Sequence, residues 1–156
     1  MLRVTKLTDY ATVILVALAR APDRVHSSAE LAELARLEAP TVAKVLKPLA
    51  HAGLVESFRG ATGGYRLARP AHAIPLIAIV EAMEGPLGMT ECSGEHSTCE
   101  LEPHCGVQTH WRRINDVIAE ALGGITLAEM LPPAAAPAPT EAPAPAPADK
   151  TDTTGA

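Results

Sequence analysis

The sequence predicts a mainly helical domain with one β-hairpin near its middle, a long amphipathic helix toward its end and an unstructured tail. Three observations predict it. Apolar residues recur at spacings of three and four through several segments. One pair of short segments alternates like strands around the glycine-rich run Arg59-Gly60-Ala61-Thr62-Gly63-Gly64. Aromatic residues make up 3% of the 156 residues, too few for a large β-sandwich or for a sheet that stacks RNA bases on rings.

The wider composition narrows the class further. Hydrophobic residues at 47% and charged residues at 20% are ordinary for a soluble globular chain. No apolar run reaches about 18 residues, so no membrane partner is expected. Met1-Leu2-Arg3-Val4-Thr5-Lys6 lacks an apolar secretory core, which points to the cytoplasm. Three cysteines cannot close a disulfide framework. From Pro132 to Ala156 the chain carries seven of its 14 prolines and no apolar period. That stretch cannot bury a core and is expected to be disordered, with polyproline-II character. The expected folded domain is therefore 1–131, with 132–156 as a tail.

The elements follow in order. Leu7, Ala11, Ile14, Leu15 and Leu18 form one face of a first helix, Thr8–Ala19, ended by Ala21-Pro22-Asp23. Ser27 and Glu30 are placed for a capping box that opens a second helix to about Arg36, with Leu31, Leu34 and Ala35 inward. Pro40 suits the first turn of a third helix, whose core face is Val42, Val45, Leu46 and Leu49 and whose stop is Gly53. Pro48 is expected to remove a hydrogen bond late in it and to kink or weaken its last turns. Leu54–Phe58 and Tyr65–Ala68 are the hairpin strands. Pro75–Met83 is a short apolar helix ended by Gly85-Pro86. Val107, Trp111, Ile114, Ile118 and Leu122 mark the long helix, which either completes the core or pairs with its copy. Thr126 and Glu129 form a second capping-box pattern before a last short helix.

Two helices joined by a short break, with a helix before them and a hairpin after, make a winged helix-turn-helix. Charge agrees with that reading. Residues 1–75 hold ten Lys/Arg against six Asp/Glu, whereas 76–131 hold two against nine. A basic half can face phosphates while the acidic half points elsewhere. Thr41, Lys44 and Lys47 are expected to project from the third helix toward the major groove, and Arg59 and Arg66 to serve the wing. No G-x-S-x-G, H-E-x-x-H or Walker loop is present, so neither an enzyme nor a small-molecule substrate is expected.

Cys92, Cys99 and Cys105 follow a C-x6-C-x5-C spacing in the aperiodic segment 91–106. Glu91, Glu95, Glu100 and Glu102 crowd it, and no Lys or Arg lies between Arg69 and Arg112. Thiolates gathered in an acidic setting repel one another unless a cation joins them. Four readings stay open: an iron–sulfur cluster, structural zinc completed by His96, His104 or His110, redox thiols, and inert thiols.

An ordered set of motifs adds a resemblance over about Met1–Leu131. Leu7-Thr8-Asp9-Tyr10-Ala11, Gly53-Leu54-Val55 through Arg59-Gly60, Gly63-Gly64-Tyr65-x-Leu67-Ala68, the spaced cysteines and a Trp111-Arg112 helix closing in Ile125-Thr126-Leu127 are similar to the IscR/NsrR-type winged-helix regulators that bind iron–sulfur clusters. The start Lys6–Thr12 and the run Ala39–Leu46 look most like the branch that regulates Suf cluster assembly. The resemblance implies a homodimer joined through the Trp111 helix. It implies a repressor on a double-stranded operator, and a [2Fe-2S] or [4Fe-4S] cluster on Cys92, Cys99 and Cys105 that senses cluster status, redox or nitric oxide. For the fourth ligand, Gln108 stands where one branch has histidine, and Asp9 matches the aspartate of another. His104, His110 and Glu102 are rivals. The alternative is a winged-helix DNA-binding protein with structural zinc and no sensing role.

Overall fold

In the computed structural model, residues 4–93, 99–100 and 104–132 are described. The chain runs α1 (Lys6–Ala19), α2 (Ser28–Ala35), α3 (Ala39–His51), β1 (Val55–Phe58), β2 (Gly64–Leu67), a 3-10 turn at Ala71–Ala73, α4 (Leu76–Glu84), α5 (Gln108–Gly124) and a second 3-10 turn at Leu127–Met130. The expected tail lies outside the described residues from 133 onward, as does Glu102. No helix among the described residues is long and apolar enough to cross a membrane.

The helices begin and end where local chemistry tells them to. Thr5 caps α1 by accepting a hydrogen bond from the Thr8 N–H. Ser27 and Glu30 satisfy each other's backbone N–H groups at the start of α2, as the spacing predicts. α2 closes on Arg36 in the left-handed region at φ 53°, with Leu37 N–H bonded back to Ala32 O at 2.9 Å. α3 closes on Gly53 at φ 68°, with Leu54 N–H reaching Leu49 O at 3.0 Å and Gly53 N–H reaching Ala50 O at 3.1 Å. α3 runs through Pro48 as far as His51. The expected weak point therefore amounts to one missing i−4 donor, and the buried side chains on both sides of it hold the helix together.

α1 is the central element and packs on α2, α3, α4 and the C-terminal 3-10 turn. Ala11, Ile14, Leu15 and Leu18 meet Leu31, Val42, Val45, Leu46, Leu49, Leu54 and Ile79 in one buried cluster. Leu34 is a correction, because it is 57% exposed. Two turns of helix bring Leu31, Ala32 and Ala35 to the core, and Leu34 falls on the flank beyond their reach.

β1 and β2 pair antiparallel with Val55 opposite Leu67 and Phe58 opposite Gly64. The hairpin is joined to the helices by a third extended residue. His26 N–H donates to Tyr65 O at 2.9 Å, and Tyr65 N–H donates to His26 O at 2.7 Å. This close approach requires glycine at 64, where an added Cβ would sit 2.3 Å from the His26 carbonyl oxygen. The His26 ring is buried beneath the junction, and among the described residues neither of its nitrogens has a hydrogen-bond partner.

α4 is tied in at both ends. Leu76 N–H donates to Ile125 O and Leu127 N–H to Ile74 O, each at 2.8 Å. Glu84 accepts from the Thr5 N–H at 2.9 Å and from the Thr8 hydroxyl. The carboxylate thus sits at the N-terminus of α1, where the helix dipole favours it. The Thr8 hydroxyl first, and the Thr5 N–H next, hold its pKa below the ordinary value of 4.5.

Candidate DNA interface and cysteine site

α3 separates its residues by function through its period alone. Val42, Val45, Leu46 and Leu49 are buried, which turns Lys44 and Lys47 outward. Thr41 lies half-buried at the edge of this face. His51 is exposed one turn beyond Lys47, on the same line. Sequence reasoning missed His51 as a candidate, although its i+4 spacing from Lys47 carried the signal. The core face anchors α3 so firmly that the outward residues are presented on a rigid element, as a groove-reading helix needs.

The wing projects beside it. Arg59 is exposed in the turn between the strands. Arg66 is half-buried on β2, pairs with Glu56 across the hairpin at 3.0 Å and lies over the Phe58 ring at 5.1 Å. The two wing arginines therefore differ: the turn holds one out into solvent, and the sheet face holds the other against a carboxylate and a ring.

These elements define a class, a winged helix-turn-helix whose basic half carries the recognition helix and wing. Residues 4–133 match the family described as Rrf2, iron-dependent transcriptional regulator. The chain belongs to this family of DNA-binding transcriptional regulators. It is 35% identical over 132 residues to Protein aau3 of Rhizobium meliloti, covering 83% of this chain and 85% of that protein. It is similar in structure to CymR, the global cysteine regulator of B. subtilis, at 29% identity and TM-score 0.64, covering 83% of this chain and 96% of that one. IscR of T. potens gives 30% identity and TM-score 0.62 over 83% and 85% of the two chains.

The cysteines occupy a different setting. None is in a disulfide. Cys92 is buried, with its sulfur 3.3 Å from the Thr90 hydroxyl. Cys99 and Cys105 are half-buried. Three cysteines outside any disulfide within 14 residues are the donor chemistry an iron–sulfur cluster requires. Among the described residues no three His, Cys, Asp or Glu side chains are gathered closely enough to hold a metal ion. Asp9 is exposed in the first turn of α1, and His104 and His110 are exposed on either side of the α5 start.

α5 does not complete the core. Its one buried residue is Asn115, whereas Val107, Trp111, Ile114 and Val117 are between 38% and 59% exposed. Ile118 and Leu122 are half-buried and line a groove of about 490 Å³ with Val4, Val80 and the 84–89 turn. The apolar stripe of this helix is therefore not taken up by the core of the described residues.

Proposed function

We propose that this protein is a homodimeric repressor whose binding to a specific operator is set by an iron–sulfur cluster on Cys92, Cys99 and Cys105, and that it controls cluster-assembly genes. The observation that carries the reading is the set of three cysteines, none in a disulfide, on one segment that leads directly into the outward-facing helix α5. Membership of a family described as iron-dependent supports it. A [2Fe-2S] or [4Fe-4S] cluster would supply a redox- and nitric-oxide-sensitive centre. Asp9, from α1 of a second copy, is the proposed fourth ligand, ahead of His104, His110 and Glu102. α1 packs directly on α2 and α3, so a ligand on α1 links the cysteine segment of one copy to the recognition helix of the other.

Val107, Trp111, Ile114 and Val117 form the proposed dimer face. Thr41, Lys44 and Lys47 read the major groove, and Arg59 and Arg66 contact the backbone from the wing. Lys44→Ala should lower operator affinity about tenfold at fixed salt, the scale of one lost base or phosphate contact.

The deciding experiment is anaerobic purification followed by a visible spectrum, by iron, sulfide and zinc analysis, and by operator titration of loaded and metal-free protein. The proposal expects iron with sulfide and an affinity difference of about tenfold or more between the two forms. Zinc alone, with DNA affinity indifferent to its removal, would replace the sensor with a structural zinc protein.

A further inference from the structure

α5 has a second face, turned toward the cysteine segment. Arg112 and Asn115 are three residues apart and so lie on one side of the helix. The Arg112 Nε donates to the Cys92 carbonyl at 3.3 Å. The Asn115 Oδ1 accepts from the Met89 N–H at 3.2 Å. Asn115 is 8% exposed and is the only buried residue of the helix, so this contact is shielded from competing water. Between the two anchors the chain is folded on itself. Ser93 N–H and Ser93 Oγ both donate to Thr90 O, at 3.1 and 3.0 Å, and Thr90 N–H donates to Ser93 Oγ at 2.8 Å. Cys92 is thus clamped from both sides onto one helix. At 100° per residue, Ile114 and Val117 leave that helix on other sides and remain exposed, while Trp111, one turn before Asn115, borders the latch face and is 38% exposed.

We propose that Arg112 and Asn115 are positioning residues that latch Cys92 to α5, so that movement of the cysteine segment is passed to the helix face assigned to the second copy. The consequence for sensing rests on the function proposed above; the latch itself rests only on the contacts. A mobile loop holding a cluster would absorb its loss without moving anything else. A cysteine fixed through its own carbonyl to a rigid helix cannot do so.

The test uses full-length protein reduced to one cysteine, either Cys92 or Cys105, with the other two replaced by Ser. The probe is the rate of labelling by a maleimide without metal, because thiol labelling tracks exposure. Arg112→Ala and Asn115→Ala should each raise the Cys92 rate about tenfold, the scale of one lost hydrogen bond, and leave the Cys105 rate within about twofold. Asn115→Asp keeps the acceptor and Arg112→Lys keeps a donor, so both should return the Cys92 rate toward that of the parent. An unchanged Cys92 rate overturns the latch. Equal acceleration at both cysteines also overturns it, because that is general loosening. If Asn115→Ala does not fold, the Arg112 variants decide. In parallel, the three-cysteine protein is reconstituted with iron and sulfide, and its visible absorbance is followed under chelator. Faster decay in Arg112→Ala supports the latch in its sensing role. No iron uptake by the parent, with the selective labelling effect intact, removes the cluster reading and leaves the latch standing.

Discussion

The helix-turn-helix half and the cysteine half of this molecule spend their apolar residues differently. α1 and α3 turn Ala11, Ile14, Leu15, Leu18, Val42, Val45, Leu46 and Leu49 inward, while α5 leaves Val107, Trp111, Ile114 and Val117 in solvent and buries an asparagine. The charge divides at nearly the same place, basic before residue 75 and acidic after it. A surface that reads DNA needs a stiff platform, and the first half supplies one. The second half keeps its apolar stripe outside the core, which is what the proposed pairing with a second copy would need. Amphipathic period alone cannot tell these two uses apart, because both produce the same spacing of three and four.

The sharpest way to test that contrast is to truncate one side chain in each half. Leu15→Ala should cost about 2–5 kcal/mol in urea unfolding, because the residue is fully buried and its neighbours cannot collapse into the gap. Ile114→Ala, on the exposed stripe, should cost a dilute single chain less than about 0.5 kcal/mol. Sedimentation should instead show it weakening self-association. Equal losses of folding stability at both sites would mean that α5 belongs to the same core as α1.

A smaller effect is expected at the joint between wing and helices. Gly64→Ala would place its Cβ within 2.3 Å of the His26 carbonyl oxygen, so the hairpin must move. The expected loss is about 1–3 kcal/mol, the range for overpacking a closed site. Operator affinity should fall with it, since Arg59 moves with the wing.

The seam between the halves should show in acid. Glu84 has its pKa lowered by the Thr8 hydroxyl and then the Thr5 N–H. Its contribution is therefore fully present above its unfolded value, near 4.5, and is lost as pH falls through the lowered folded value. Glu84→Gln removes this titration. The stability difference between parent and variant should shrink below pH 4.5 and stay constant from pH 5 to 8. Glu30 and Glu129 are lowered too, mainly by the Ser27 and Thr126 N–H groups, and titrate alike in both proteins.

The smallest effect, and one of opposite sign, is expected at His26. Both ring nitrogens are buried without partners among the described residues, and replacing an unsatisfied polar group by an apolar one of similar volume removes the desolvation cost. His26→Leu should raise the melting temperature by a few degrees. A fall would show that the ring nitrogens have partners beyond those described.

The sequence alone determined the elements whose causes are local. Ser27 with Glu30 sets the start of α2, Gly53 sets the end of α3, and the glycines at 60, 63 and 64 set the wing. Each of these is chemistry between residues a few positions apart, and a linear reading contains all of it. The outward placement of Lys44 and Lys47 was legible for the same reason, since a helix with one apolar face has only one other. Tertiary structure decided what depends on neighbours distant in the chain. It left Leu34 outside because a two-turn helix offers α1 and α3 only one line of contact. It took the Glu84 carboxylate across 79 positions to the Thr5 N–H. It held Arg66 against Glu56 and Phe58, and it put Asn115 rather than a leucine at the buried point of α5. Burial is a property of two surfaces that meet, and one strand of sequence shows only one of them.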